Sequence, residues 1–156
     1  MNFDLLRSNA DKLGLFEYLV IGCEECSELL CELSNSSPDN KKSLIEECAD
    51  VYICITSIDY LEGNSTVISS YTDSNYLDIC SSYIKYSMKK LRLLREDATL
   101  RMGEYEIESE FFSYKSMLLC LINDIVNNNE AIDEFKKCVN YKLSRSGSML
   151  GGLTVS

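Results

Sequence analysis

The sequence predicts an all-α fold, a bundle of about four to five helices, from three observations. The 156 residues include one proline and seven glycines, the two residue types that most disfavour a helix interior. Apolar residues recur three and four positions apart, which is the period of one helix face. The apolar fraction of 46% and the charged fraction of 26% are typical of a globular domain. We expect one domain over 1–146 and a flexible Gly/Ser-rich tail over 147–156.

Turn-forming residues divide the chain into five predicted helices. The first helix ends in the turn-rich segment 34–40, where Asp39 or Asn40 can cap the second helix. The second helix stops at Gly63, and the polar stretch 64–74 is expected to be a loop because its weak strand propensity finds no partner strand. The predicted helices cover about 15–33, from the cap to 61, 75–97, 104–126 and 130–144.

Charge and hydropathy exclude several classes of partner. The net charge of −10 disfavours nucleic acid polymers and anionic membranes, which need a basic face. No stretch reaches the roughly 18 uncharged apolar residues of a membrane span, and the first residues lack the pattern of a secretory signal. We therefore expect a cytoplasmic protein. A small phosphorylated ligand remains compatible with the acidity if metal ions bridge carboxylates to phosphates.

Eight cysteines lie within predicted helices, and we expect them to be reduced and mostly packed in the core. Cys23 and Cys26 form a Cys-x-x-Cys pair, which is the spacing of a zinc or redox site. A structural zinc site usually needs a second such pair or histidines, and this chain has neither. Core packing is the preferred interpretation.

Two acidic motifs carry the chemistry: Glu-Glu-Cys-Ser-Glu at 24–28 and Glu-Glu-Cys-Ala-Asp at 46–50. Each contains acids three positions apart, so one helix face presents both carboxylates. Two such helices, packed antiparallel across a short loop, would bring four carboxylates together. Oxygen ligands without His or Cys suit Mg²⁺ or Mn²⁺. The expected metal ligands are Glu25, Glu28, Glu47 and Asp50.

The alternative is that these acids simply form a solvated helix face. The apolar residues argue against it, since Asp50 shares its helix stripe with Val51, and Glu25 shares its stripe with Ile21. Buried acids without a counter-charge are costly, and a divalent ion would offset that cost. Two further acids lie about a quarter-turn away and either support the metal ligands or are simply exposed to solvent: Glu24 and Glu46.

Glu-Glu-Cys-Ser-Glu-Leu-Leu followed by Leu44-Ile-Glu-Glu-Cys-Ala-Asp-Val-Tyr-Ile resembles the all-α NTP pyrophosphohydrolases of the MazG and dimeric dUTPase type. Their signature is Glu-Glu-x-x-Glu, a spacer and Glu-x-x-Asp, and the resemblance covers about 15–61. It implies a helical bundle that assembles as a homodimer or homotetramer. It also implies Mg²⁺-dependent cleavage of an NTP or dNTP between its α and β phosphates, yielding a nucleoside monophosphate and pyrophosphate.

The resemblance also implies roles for particular residues. The four acids would hold one or two magnesium ions, and Glu28 is our choice for the base that orients the attacking water. A Lys-x-x-Arg-like element on a later helix would bind phosphate. Lys89 and Arg92 are favoured over Lys142 and Arg145, although lysines and arginines on amphipathic helices usually face water.

Two other functions remain open at this point. The protein could bind a nucleotide without turnover, or it could be a helical interaction protein whose acids bind nothing. Aromatic residues that could stack on a nucleobase, each more often a core residue, are Phe16, Tyr18, Tyr52, Tyr83 and Tyr86.

Overall fold

The computed structural model describes residues 1–35, 41–70, 74–96 and 104–155, with 146–155 described by their backbone alone. The described residues form six α-helices and no strand, which confirms the all-α prediction. The helices are α1 (Phe3–Leu13), α2 (Leu15–Ser34), α3 (Lys41–Glu62), α4 (Tyr76–Arg95), α5 (Glu104–Ile125) and α6 (Asn129–Val155).

α1 is the helix that the predicted four to five did not include. Asn2 caps it by accepting a hydrogen bond from the backbone N–H of Leu5 at 3.1 Å, and Leu6 and Ala10 bury its inner face. Gly14 ends it with a positive φ of 89°, a conformation that glycine adopts without strain. The signals were present in the sequence, since a capping residue precedes apolar residues four positions apart.

α3 lies at the centre of the bundle and contacts α1, α2, α5 and α6. Seven consecutive residues, 53–59, are buried, so this part of the helix is enclosed on every side. Gly63, with φ 71°, ends α3 where the sequence predicted. The N–H of Asn64 then donates to the carbonyl oxygen of Asp59 at 2.8 Å, as in a glycine-terminated helix.

α4 packs against α2 on one side and α5 on the other. Ser87 Oγ donates to the carbonyl oxygen of Leu19 at 3.3 Å. The Cys26 thiol lies 3.7 Å from the carbonyl oxygen of Cys80. The cysteines are thiols rather than disulfides, as expected, and four of them are buried in the core: Cys26, Cys48, Cys54 and Cys80.

The boundaries differ from the prediction mainly at the C-terminus. The backbone of α6 is helical to Val155, whereas the sequence predicted an end near 144. Glycine weakens a helix by only about 1 kcal/mol relative to alanine, and a helix that is already formed extends without a new nucleus. Residues 64–70 are neither helix nor strand, as expected. The predicted cap at Asp39 or Asn40 and the predicted helix end at 97 lie outside the described residues.

Within the described ranges, no helix combines the length and the apolar content that crossing a lipid bilayer requires.

Candidate metal centre

Three of the four predicted ligands meet between α2 and α3. Glu25 of α2 and Glu47 and Asp50 of α3 each offer one carboxylate oxygen, and these oxygens lie within 4.8 Å of one another. The i, i+3 spacing places Glu47 and Asp50 on one face of α3, and that face meets α2. Together with Glu28, these residues are called the acidic cluster below.

Two oxygens of the cluster are buried and have no hydrogen-bond donor among the described residues: Glu25 Oε2 and Glu47 Oε2. Leaving a buried acceptor unsatisfied costs roughly 1–3 kcal/mol. Both residues are half-buried, and the described residues do not supply the donors that these two oxygens need.

The electrostatics of the cluster oppose its ionisation. Burial, followed by the charges of Asp50 and Glu28, raises the pKa of Glu25 from 4.5 to about 8. Burial and the charges of Glu28 and Asp50 together raise the pKa of Glu47 from 4.5 to about 7. Like charges that share a partly desolvated site resist losing their last protons. A divalent cation would remove this resistance.

Glu28 lies at the rim of the cluster. It is exposed, and it does not belong to the group of three whose oxygens converge. It nevertheless lies near enough to Glu47 and Glu25 for its charge to raise the pKa of both. The two supporting candidates also differ from each other, because Glu24 is exposed and Glu46 is half-buried.

Lys142 of α6 brings a cation to the cluster. Its Nζ lies 2.9 Å from Asp50 Oδ1 and 2.9 Å from Asp50 Oδ2. The hydrogen bond and charge of Asp50, with contributions from Glu46 and Glu47, raise the pKa of Lys142 even though burial opposes this. In the described part of the chain, Lys142 is the one lysine that pairs with the cluster.

Lys89 and Arg92, the favoured phosphate ligands, lie elsewhere. They line a groove of about 340 Å³ on the outer face of α4, together with Lys85 and Met88. The Nζ of Lys89 is 5.0 Å from the ring centre of Tyr86. Among the described residues, neither cation forms an ion pair with the acidic cluster.

Gly22 allows α2 to approach α4 one turn before Glu25. A Cβ at this position would stand 2.7 Å from the hydroxyl oxygen of Tyr83, whose side chain is fully buried against Phe111.

Of the aromatic residues considered for stacking on a nucleobase, Tyr83 and Tyr18 are buried in the core. Tyr52 packs edge-on against Phe135, Tyr86 stacks on Tyr114, and Phe16 is exposed.

A second group of charges lies deeper in the bundle and was missed by the sequence reasoning. Lys115 of α5 contacts Asp59 at 2.6 Å and Glu62 at 3.8 Å. Lys90 of α4 pairs with Glu62 and, at 2.7 Å, with Glu108. Both lysine side chains are almost fully buried, at 4% and 3% exposure. We call these five residues the lysine network.

The lysine network and the acidic cluster share a sequence pattern but differ in charge balance. Asp59 and Glu62 repeat, twelve positions further along α3, the acid spacing of Glu47 and Asp50. In the network, two buried lysines neutralise most of the acidity. In the acidic cluster, four carboxylates face Lys142 alone among the described residues. The acidic cluster therefore lacks the balancing positive charge that the lysine network has.

A scan against protein-family models, a search of curated proteins and a search of solved structures each give no match for this chain.

Proposed function

We propose that the acidic cluster binds Mg²⁺, with Mn²⁺ as a substitute, and that the protein is a nucleoside triphosphate pyrophosphohydrolase. The observation that carries this proposal is the charge deficit of the cluster. When fully ionised, its four carboxylates exceed the nearby lysine by three charges, and two buried oxygens have no donor among the described residues. An all-oxygen site of this kind suits a hard divalent cation.

The order of contacts between α2 and α3 supports the geometry that the motif implies. Along α2, Gly22 is close to Cys54 and Glu25 interacts with Asp50. One turn further along, Glu28 interacts with Glu47. The partner numbers fall as the α2 numbers rise, which is the order of an antiparallel pair. The spacing resembles that of the all-α NTP pyrophosphohydrolases, and the reaction is proposed on that resemblance.

Each side chain at the proposed site has a separate role. Glu25, Glu47 and Asp50 would hold the ion, which supplies Lewis-acid polarisation of phosphate oxygens and a more acidic bound water. Glu28, exposed at the rim beside Glu47, would accept a proton from a water that approaches from solvent. Lys142 brings the positive charge nearest to the site.

A groove between α3 and α6 is our candidate for the substrate. It measures about 340 Å³ and is lined by Lys41, Lys42, Ile45 and Glu134, among others. Its lysines lie in the first turn of α3, within two turns of Glu47 on the same helix. The two lysines can pair with phosphate, and Ile45 offers an apolar wall for a base.

Three further parts of the proposal concern the phosphate ligands, the assembly and the location. Lys89 and Arg92 would reach a phosphate only if the substrate extends to the outer face of α4. A homodimer or homotetramer would cover apolar side chains that are exposed on that helix, Leu77 and Met88 among them. A cytoplasmic location would give the enzyme access to the nucleotide pool.

A nucleotide-binding protein without turnover is the second candidate function. One observation favours it: Glu28 lies outside the group of three converging acids, so one of the four ligands that the motif implies is not assembled with the others. Incubation with each NTP and dNTP plus Mg²⁺ separates the two candidates. Pyrophosphate release supports the enzyme, whereas metal-dependent binding without pyrophosphate supports the binder.

Glu47→Gln and Asp50→Asn should each lower the rate of pyrophosphate release by about 100-fold or more, since even groups that only orient a metal ligand are worth 10–100-fold. Circular dichroism should show an intact fold in both variants. The melting temperature of Glu47→Gln should equal or exceed that of wild type, because a like charge is removed from the cluster, whereas Asp50→Asn also loses the ion pair with Lys142 and should gain less. Glu17→Gln, at an exposed position of α2, is the matched control and should keep full activity. Wild-type activity in either cluster variant would contradict the ligand assignment.

A further inference from the structure

Lys142 reaches the acidic cluster from a firmly packed helix. Three residues on its inner face, Phe135, Val139 and Leu143, are buried at 6%, 0% and 1% exposure. The side-chain amide of the buried Asn9 donates to the carbonyl oxygen of Leu143 at 3.0 Å, which ties α1 to the turn of α6 that carries Lys142. Packing on two sides therefore fixes the backbone from which the Lys142 side chain extends.

The contact with Asp50 engages the whole carboxylate. The ammonium group is 2.9 Å from each of the two oxygens, and both side chains are about one-quarter exposed. Charge-assisted hydrogen bonds of this length are among the stronger polar contacts in proteins. Glu25 and Glu47, in contrast, each keep a buried oxygen without a donor among the described residues.

A divalent ion and the ammonium group compete for the same carboxylate. An ion held by one oxygen each from Glu25, Glu47 and Asp50 lies between groups within 4.8 Å of one another, so it would stand a few ångströms from the Lys142 ammonium. Two cations at such a distance repel strongly in a partly desolvated site. Either the ammonium moves away from Asp50 or the ion binds less tightly.

We propose that Lys142 is a built-in competitor for the metal ion: it holds Asp50 until the ion binds and then turns away from it. This inference rests on the proposed metal site. Its consequence is that Lys142 sets the concentration at which the site fills. Metal binding would also release a positive charge beside the groove between α3 and α6, where an anionic substrate is expected.

The test measures metal affinity without nucleotide, by titration calorimetry of the full chain with Mn²⁺ and with Mg²⁺. Lys142→Met should bind either ion at least about tenfold more tightly than wild type, the factor that corresponds to about 1.4 kcal/mol. Lys137→Met, at an exposed position of the same helix, should stay within about twofold of wild type. Equal or weaker binding by Lys142→Met would overturn the inference while leaving the metal site in place. Absence of binding in wild type and in both variants would overturn the metal site and the inference together.

A second measurement needs no variant and so does not depend on the variant folding. Reductive methylation of wild-type lysines with formaldehyde and a borohydride, read by peptide mass spectrometry, should label Lys142 slowly while it pairs with Asp50. Addition of Mn²⁺ should increase labelling of Lys142 several-fold and leave that of Lys137 unchanged. An unchanged or lower rate at Lys142 under saturating Mn²⁺ would show that the ion does not displace it.

Discussion

Replacing Glu25 with glutamine should change stability in a way that depends on both pH and metal. Glutamine has nearly the same shape as glutamate but carries no charge at any pH. In wild type, burial and the neighbouring acids raise the pKa of Glu25 from 4.5 to about 8. The unfolded chain therefore ionises this group near pH 4.5, whereas the folded chain keeps the proton until about pH 8.

The sign and size of the effect follow from this difference in proton binding. Between pH 4.5 and 8 the folded state binds more protons than the unfolded state, so the free energy of unfolding of wild type falls as pH rises. The full shift would correspond to roughly 5 kcal/mol at about 1.4 kcal/mol per pKa unit. Glu25 is only half-buried and is coupled to its neighbours, so we expect about 2 kcal/mol after solvent screening.

Urea unfolding followed by circular dichroism, in a buffer with a chelator, measures this difference. Glu25→Gln should be about 2 kcal/mol more stable than wild type near pH 8, which corresponds to a rise of roughly 4–8 °C in melting temperature. Near pH 4.5 the two proteins should be equally stable. Replacing the chelator with excess Mg²⁺ at pH 8 should stabilise wild type and reduce the advantage of the variant, because the ion binds the ionised cluster.

Glu17→Gln, at an exposed position of the same helix, serves as the control and should show neither the pH dependence nor the metal dependence. The reasoning would be refuted if Glu25→Gln were no more stable than wild type at pH 8. It would also be refuted if the gain had the same size at both pH values, since a gain of that kind would not come from ionisation.

Two further predictions concern how the bundle is held together, and both are measured by urea unfolding. Lys115→Met should cost about 3–5 kcal/mol because it leaves Asp59 buried without its 2.6 Å partner. Combining it with Asp59→Asn should recover part of the loss, Lys137→Met should cost little, and a near-neutral Lys115→Met would contradict a buried ion pair. Gly22→Ala should cost about 1–3 kcal/mol through overpacking against the Tyr83 hydroxyl. In a Tyr83→Phe background the nearest ring carbon is an ordinary 3.7 Å away, so the cost should disappear; an unchanged cost there would exclude this contact as its cause.

Local features of the fold were predictable from short stretches of sequence. The end of α3 at Gly63 depends on the conformational freedom of one residue. The pairing of acids on one helix face depends on spacing alone, and the structure brings Glu25, Glu47 and Asp50 together. The same kind of local signal marks α1, where Asn2 precedes two buried apolar residues that are four positions apart.

The sequence by itself determined that helices form and which acids share a face, because hydrogen bonds and side-chain neighbours within a helix lie three or four residues apart. It did not determine which lysine balances which acid. The acid pairs that contain Asp50 and Asp59 have the same spacing, yet the first meets Lys142, which is 92 positions away, and the second meets the buried Lys115, which is 56 positions away. Only the packing of helices against one another decides which side chain from a distant segment faces a given carboxylate. That packing leaves one acid pair nearly neutral and the other short of positive charge.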